Sequence, residues 1–226
     1  MSLVHNASTV RSGLVLHLDA ANPKSYLGSG TTWNSLTGNG IVSIAGTPSF
    51  SSLNNGAIVF NTVDDYADFT APNLGTVASV EMWCKPTSVG GKMFFGWLLY
   101  DVFASGGAIG YNTAASDVYG IPSAQVTALG LLNNWAHYVF VMRTDVSYTN
   151  NKIYVNGVSQ SLSQVTGTEA AGNRVFNSGA GRIGGWRSDA NYRMAMDIGV
   201  FNVYNKELSA AEIRQNFEAL RSRYGI

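Results

Sequence analysis

Two glycine-flanked stretches of the chain combine aromatic, amide and charged side chains in the mixture that carbohydrate recognition requires. A sugar ring stacks its C–H face on a flat aromatic side chain, and its hydroxyl groups bond to nearby amides and carboxylates. Loops on a rigid β-sandwich are a common place for such a site. The segments GGWRSDANYR and GYNTAASDVYG therefore supply the candidate ligand-binding residues: Trp186, Arg187, Asp189, Asn191, Tyr192, Tyr111, Asn112, Asp117 and Tyr119. Simple packing of these side chains is the favoured alternative for each stretch.

An acidic pair is the candidate metal site. Asp64 and Asp65, in NTVDDYADF, come just before a predicted strand. Calcium takes six to eight oxygen ligands, several of them carboxylates, so the pair is compatible with calcium. An Asx-type turn with one exposed carboxylate explains the same pattern and is favoured. Nothing else in the sequence requires a cofactor.

The acidic residues and histidines do not form a recognisable catalytic pattern. Retaining glycoside hydrolysis needs two carboxyl groups about 5–5.5 Å apart, and acids at alternating positions of one strand would provide that separation. Glu81, in SVEMWCKP, has no second acid beside it. The three histidines are far apart and lack metal-ligand spacing. We therefore expect a protein that is not an enzyme.

Composition limits the classes of partner. Charged residues make up only 12% of the chain, and 14 basic residues balance 14 acidic ones. Because the basic residues are scattered, they form no patch that could capture nucleic-acid phosphates. Cys84 is the single cysteine, which excludes an intrachain disulfide. No signal peptide and no membrane-spanning apolar run is recognisable, so we expect a soluble protein, made in a cytoplasm, that does not insert into membranes.

Short strand-like runs recur along the chain and indicate a sandwich or barrel. The runs at 135–143 and 152–157 are predicted to pair. Within KIYVNGVSQ, at 152–160, Asn156-Gly157 is predicted to form a type I′ hairpin turn between two short strands. The most apolar run, KMFFGWLLYDVF at 92–103, is predicted to lie in the centre of a sheet.

The C-terminal segment has the signals of a helix. Ser209 and Glu212 match a capping box, and Gly225 provides the stop. One face of this helix carries an apolar stripe, which we expect to pack on the rest of the domain. The stripe consists of Ile213, Phe217, Leu220 and Tyr224.

Several segments together resemble the laminin-G-like, pentraxin-like branch of the concanavalin A-like lectin/glucanase superfamily. The match runs in order from about residue 13 to the C-terminus. The segments that carry it are SVEMWCKP, NNWAHYVFVM, KIYVNGVSQ, GRIGGW and MDIGVFNVYNKELSAAEIRQNF. One departure is in MDIGVF, which keeps Asp197 but lacks the glutamate that follows it in that family, so no role that needs this second carboxylate is carried over.

The resemblance implies an all-β fold, namely a two-sheet antiparallel jelly-roll sandwich with a short C-terminal α-helix. It implies an N-terminal arm at 1–12 and a single laminin-G-like domain over 13–226, with the helix at about 209–224. Modules of this family that bind ligands often hold calcium at one rim of the sandwich.

The function expected from the resemblance is a non-catalytic module for carbohydrate recognition or attachment. The tail LSAAEIRQNFEALRSRYGI also resembles the ends of laminin-G-like modules in bacteriophage virion proteins. That likeness implies a capsid decoration or tail protein, made in the host cytoplasm and displayed on the virion surface. Its partners would be a cell-surface glycan or neighbouring virion subunits, and a homo-oligomer is compatible with this role. The alternatives are a purely structural virion assembly protein that binds no glycan and, less favoured, a glycoside hydrolase.

Overall fold

The computed structural model describes residues 8–61, 63–188 and 190–226 of the chain. Within these residues the chain forms two antiparallel β-sheets and ends in a helix. The predicted fold, a two-sheet jelly-roll sandwich with a C-terminal helix, is confirmed. Of the predicted N-terminal arm at 1–12, residues 1–7 lie outside the described residues.

Most of the strands are short, and both α-helices of the described residues lie in the second half of the chain. In chain order the strands are β1 Leu14–Asp19, β2 Thr32–Asn34, β3 Ile41–Ala45, β4 Ser49–Ser51, β5 Ala57–Phe60, β6 Tyr66–Thr70, β7 Val77–Pro86, β8 Lys92–Gly96, β9 Asp101–Ser105, β10 Ala108–Asn112, β11 Val118–Ile121, β12 Ala136–Arg143, β13 Lys152–Val155, β14 Val158–Ser159, β15 Ser163–Thr166, β16 Ala180–Ile183 and β17 Met196–Tyr204. The α-helices are α1 Ser123–Ala128 and α2 Ala210–Tyr224.

The chain passes repeatedly between the two sheets. Sheet A has the strand order β14-β13-β12-β7-β17-β5-β4, and β1 lies beside β17. Sheet B has the order β15-β11-β10-β9-β8-β16-β6-β3-β2. The inner faces of both sheets supply the apolar core between them.

Strand β7 shows how an almost continuous apolar run becomes a central strand. It pairs with β12 on one side and with β17 on the other. Val80, Met82 and Cys84 belong to the core between the sheets, while Glu81 and Trp83 point to the opposite face. Because both faces are covered, nearly every residue of β7 is buried. Each large apolar side chain buried in this way contributes about 1.5–3 kcal/mol.

Helix α2 covers the outer face of sheet A. Ser209 and Glu212 form the predicted capping box at its start. Phe217 and Tyr224 stack on Trp83 with ring centroids 5.9 and 4.4 Å away. The predicted apolar stripe is therefore a packing face. None of the helices in the described part of the chain is long and apolar enough to cross a membrane.

The predicted turns lie where the sequence signals them. Asn156 and Gly157 have φ angles of 50° and 77°, the left-handed values that a type I′ turn requires. They join β13 to β14, and β13 pairs with β12 as predicted. Gly225, with φ 73°, ends α2.

The apolar run at 92–103, predicted to lie in the centre of a sheet, is interrupted by a turn. It forms the antiparallel strands β8 and β9, joined by a turn in which Trp97 N donates to Tyr100 O at 2.9 Å. Both strands do lie in the middle of sheet B. Gly96 faces Asp101 across this hairpin, and a Cβ on Gly96 would overlap the Asp101 side chain. The turn is hidden in the sequence because its residues are as apolar as the strands.

Candidate functional site

The connection between β16 and β17 lies against the outer face of sheet B. Tyr192 O accepts a hydrogen bond from Met93 N at 3.0 Å. Trp186 Nε1 donates to Leu98 O at 2.8 Å, and Trp186 O accepts from Arg182 Nη1 at 2.9 Å. These bonds hold the Trp186 and Tyr192 side chains in defined positions above the sheet.

A pocket of about 160 Å³ lies between this connection and the β10–β11 turn. Its aromatic wall is centred on Tyr192, whose ring lies 5.5 Å from that of Phe103 and 5.9 Å from that of Trp186. Asn112 and Ser116 also line the pocket. Tyr192 is 38% exposed. An aromatic surface next to amide and hydroxyl groups is the arrangement on which a sugar ring can stack and form hydrogen bonds.

The pocket combines residues from both predicted stretches. Trp186 and Tyr192 come from one stretch and Asn112 from the other. Arg187 follows Trp186, with a side chain 35% exposed and Nη1 3.7 Å from Asp68. Asn191 is exposed in the same connection.

Asp189, the remaining candidate of that stretch, lies outside the described residues.

Tyr111 and Tyr119 do not reach the pocket, which corrects their place among the candidate ligand residues. Tyr111 is fully buried between the sheets, and its hydroxyl donates to Val141 O at 3.0 Å and to Lys152 O at 2.6 Å. Tyr119 pairs directly with Tyr111 across β10 and β11. Side chains of directly paired residues point to the same face of a sheet. Both tyrosines therefore face the core, whereas Asn112, one residue further along β10, faces the pocket.

Two buried carboxyl groups lie beside the pocket. Asp101 pairs with Asn112 across β9 and β10, and Asn112 Nδ2 donates to Asp117 O at 2.8 Å. Asp117 Oδ1 accepts from Thr113 N at 2.9 Å and from Thr113 Oγ1 at 3.0 Å. Within the described residues, both oxygens of Asp101 and Oδ2 of Asp117 have no hydrogen-bond partner. Burial, reinforced by the nearby Asp117 carboxylate, raises the pKa of Asp101 well above its usual range.

These unpartnered oxygens are of the type that a hard cation takes as ligands. Calcium prefers carboxylate, amide and carbonyl oxygens, and Asp101 and Asp117 are 1% and 0% exposed with oxygens still available. In the part of the chain that the structure describes, no three His, Cys, Asp or Glu side chains gather at one point. A cation here would therefore need the two carboxylates together with neutral oxygens.

The predicted metal pair, Asp64 and Asp65, lies elsewhere and is used differently. Asp65 is 1% exposed. Its Oδ1 accepts from Thr47 N at 2.7 Å and its Oδ2 from Asn61 N at 2.9 Å. With both oxygens bonded to the backbone, Asp65 organises the turn, which is the alternative that the sequence favours. Asp64 is exposed next to it.

The sequence alone does not identify Asp101 and Phe103 as site residues. Both lie in the apolar run that forms β8 and β9. The available signal was Asp101 itself, since it is the single acid of that run. A charged residue buried in an apolar segment calls for a partner, a proton or an ion.

Another buried carboxylate, Glu81, lies on the other sheet under α2. Its Oε1 accepts from His137 Nε2 at 2.9 Å. Its Oε2 accepts from Asn202 Nδ2 at 3.0 Å, Tyr204 Oη at 3.1 Å and Asn216 Nδ2 at 3.0 Å. Burial alone would raise the pKa of Glu81, but the bonds from His137, Asn202 and Tyr204 lower it below its usual value. Glu81 is 0% exposed, so this network holds the helix to the sheet and is not accessible to a ligand.

The sequence matches one known family. A laminin G profile, described as the Concanavalin A-like lectin/glucanases superfamily, matches residues 61–214, which is more than half of the chain. Among curated proteins, none matches this chain.

Solved structures with a similar fold include receptor-binding domains of botulinum neurotoxins. The receptor binding domain of botulinum neurotoxin D has a TM-score of 0.63 at 14% identity, covering 91% of this chain and 52% of that one. The serotype D ligand binding domain in complex with N-acetylneuraminic acid has a TM-score of 0.61 at 13% identity, with coverages of 91% and 50%. The type G receptor binding domain has a TM-score of 0.60 at 14% identity, with coverages of 92% and 51%. This chain thus spans about half the length of those chains, and at such identities the likeness concerns the fold alone.

Proposed function

This chain belongs to the concanavalin A-like lectin/glucanases superfamily, and we propose that it acts as a non-catalytic carbohydrate-binding module. The observation that carries the proposal is the pocket on sheet B, where Trp186, Tyr192 and Phe103 form an aromatic wall beside Asn112. A structure of similar fold, the botulinum neurotoxin serotype D ligand binding domain, is in complex with N-acetylneuraminic acid. That similarity supports the proposal without identifying the sugar.

Binding is favoured over hydrolysis because of where the carboxyl groups lie. Glycoside hydrolysis needs two carboxyl groups that flank the scissile bond. Asp101 and Asp117 are 1% and 0% exposed, so neither can touch a glycosidic oxygen in this arrangement. Asp117 Oδ1 is also engaged by Thr113.

The proposal includes a structural calcium ion, for which Asp101 and Asp117 would be ligands. Carboxylates are among the preferred ligands of calcium. The double positive charge of the ion would balance the two buried carboxylates. Asp117 and Asn112 are hydrogen-bonded to each other, so an ion at Asp117 would stiffen the side of the pocket formed by Asn112.

We place the module on a bacteriophage particle, at the virion surface, as part of the same proposal. The support is the resemblance of the C-terminal segment 208–226 to the ends of virion modules. In that setting the partner is a glycan on the host cell surface, and attachment is the role.

The test is a glycan array probed with the purified protein, once with calcium and once with a chelator. Tyr192→Ala removes the centre of the aromatic wall and should abolish or strongly weaken the signal. Phe50→Ala is the matched control, because Phe50 is also 38% exposed but lies on β4 of sheet A. Specific binding that Tyr192→Ala removes and Phe50→Ala keeps supports the proposal. Absence of binding to any glycan in both conditions would refute it and favour a purely structural virion component.

A further inference from the structure

We propose that the ligand is an extended oligosaccharide, which runs from the aromatic pocket past Arg187 to a second polar depression beside Arg174. This inference rests on the proposed carbohydrate binding and specifies its substrate class. It distinguishes a chain of several sugar units from a single terminal sugar.

The surface next to the aromatic pocket continues into a second depression. Arg187, the residue after Trp186, lines a depression of about 270 Å³ together with Leu98, Ala180 and Asn177. Leu98 also accepts the Trp186 indole hydrogen bond at 2.8 Å. The two depressions therefore adjoin each other around the Trp186–Arg187 backbone.

The surface continues beyond Arg187. Asn177 lines the Arg187 depression and also a further one of about 330 Å³, which Thr144 and Arg174 line as well. A residue shared by two depressions makes them neighbours. A chain bound at Trp186 could thus pass Arg187 and Asn177 and end near Arg174.

Asn177 carries a side-chain oxygen that needs a hydrogen-bond donor. Its Oδ1 is buried and, within the described residues, has no hydrogen-bond partner. A buried acceptor without a donor is unfavourable. Because Asn177 as a residue is half-buried and lines both depressions, a rotation of its side chain would bring this oxygen to a sugar hydroxyl, which would supply the donor. Asn177 and Ser178 have left-handed backbones, with φ angles of 45° and 56°. Such conformations in non-glycine residues concentrate at ligand sites.

A sugar chain fits this groove better than a peptide does. Peptides recognised in extended form add a strand to a free sheet edge and use its backbone groups. Here the groove carries amide, hydroxyl and guanidinium side chains next to apolar ones: Asn73, Thr144, Arg174, Asn177, Ser178 and Arg187 are the polar members. These groups form hydrogen bonds with the many hydroxyls of an oligosaccharide. A single sugar in the aromatic pocket would leave the Asn177 oxygen without a donor.

The experiment measures how affinity depends on ligand length. The glycan class that gives the strongest array signal is prepared as a series of linear oligosaccharides, starting from the single sugar, and titrated by calorimetry. The wild-type protein should bind more tightly with each added unit and then reach a plateau. Asn177→Gly keeps the left-handed backbone and removes the side chain. It should bind the single sugar normally and bind the longest members about fivefold more weakly, as expected for one lost hydrogen bond.

Asn133→Gly is the control variant, because Asn133 is an exposed asparagine with φ 60° outside the groove; it should behave like the wild type. Equal affinity for all lengths, or an Asn177→Gly variant identical to the wild type, would overturn the extended site alone. Tyr192→Ala separates this outcome from failure of the proposed function. If Tyr192→Ala leaves binding unchanged at every length, or if no glycan binds, the proposed function and the extended site fail together.

Discussion

Asp101→Asn should stabilise the protein at neutral pH in the absence of calcium and should remove its response to calcium. Asp101 is buried, and among the described residues its two carboxylate oxygens have no hydrogen-bond partner. Burial and the neighbouring Asp117 raise its pKa. Asparagine has nearly the same shape but carries no charge, so the substitution removes the buried ionisable group without leaving a cavity.

The size of the effect follows from proton linkage. An aspartate in the unfolded chain has a pKa of about 3.9, and folded Asp101 has a higher one. Between these two values the folded state binds a proton that the unfolded state has released. The free energy of unfolding therefore falls by about 1.4 kcal/mol for each pH unit in this window. The loss is absent below the unfolded pKa, grows as the pH rises and is constant above the folded pKa. Calcium at a hundred times its dissociation constant would add back about 2.7 kcal/mol.

The assay is urea unfolding of wild type and variant from about pH 4 to about pH 8, with calcium or with a chelator. The difference between the two proteins isolates Asp101, because other titrating carboxyls such as Glu81 are present in both. Asp64→Asn is the control, since it removes an exposed acid of the other candidate metal site. In chelator, we expect the free energy of unfolding of the wild type minus that of Asp101→Asn to become more negative as the pH rises.

Two results would refute this reasoning. One is an Asp101→Asn protein that is no more stable than wild type at any pH in chelator. The other is a calcium response that persists in Asp101→Asn. If that response instead disappears in Asp64→Asn, the ion binds at Asp64 and Asp65.

Three further predictions concern the binding wall, the buried network and the helix cap. Tyr192→Ala should weaken glycan affinity about tenfold through the lost aromatic contact; calorimetry on the best array ligand checks this, and an unchanged affinity would contradict it. Glu81→Leu should lower the free energy of unfolding by about 4 kcal/mol because its donors lose their buried acceptor. Glu81→Gln, which keeps one acceptor oxygen, should cost less in the same urea titration, and equal losses would argue against the network. Ser209→Ala should cost about 1 kcal/mol, and a thermal melt identical to wild type would show that the capping box contributes nothing.

Much of the fold was predictable because its signals act over a few residues. Asn156-Gly157 tolerates the positive φ angles of a hairpin turn, and Ser209 with Glu212 satisfies free amides at a helix start. The run at 92–103 was predicted less well. The turn at Trp97–Tyr100 has no Asn-Gly pair to mark the chain reversal. The packing of Gly96 against Asp101 arises only once the two strands pair.

The candidate site was predictable in part. Trp186, Tyr192 and Asn112 were identified from residue type and loop context, and the structure brings them to one pocket. Tyr111 has the residue type of Tyr192 and is the sequence neighbour of Asn112, but its place in the pleat of β10 turns it into the core. A shift of one position along a strand reverses the face, and composition cannot detect that shift.

By itself, the sequence determined the class of fold, the hairpin turn, the capped C-terminal helix and the types of side chain available for binding. These depend on backbone preferences and apolar periodicity within short segments. Only the tertiary structure decided that Asp101 and Asp117 are both buried next to Asn112, that His137 meets Glu81 and that Trp186 and Asn112 line one pocket. Such contacts depend on strand order and register, which the packing of both sheets sets for the whole chain at once.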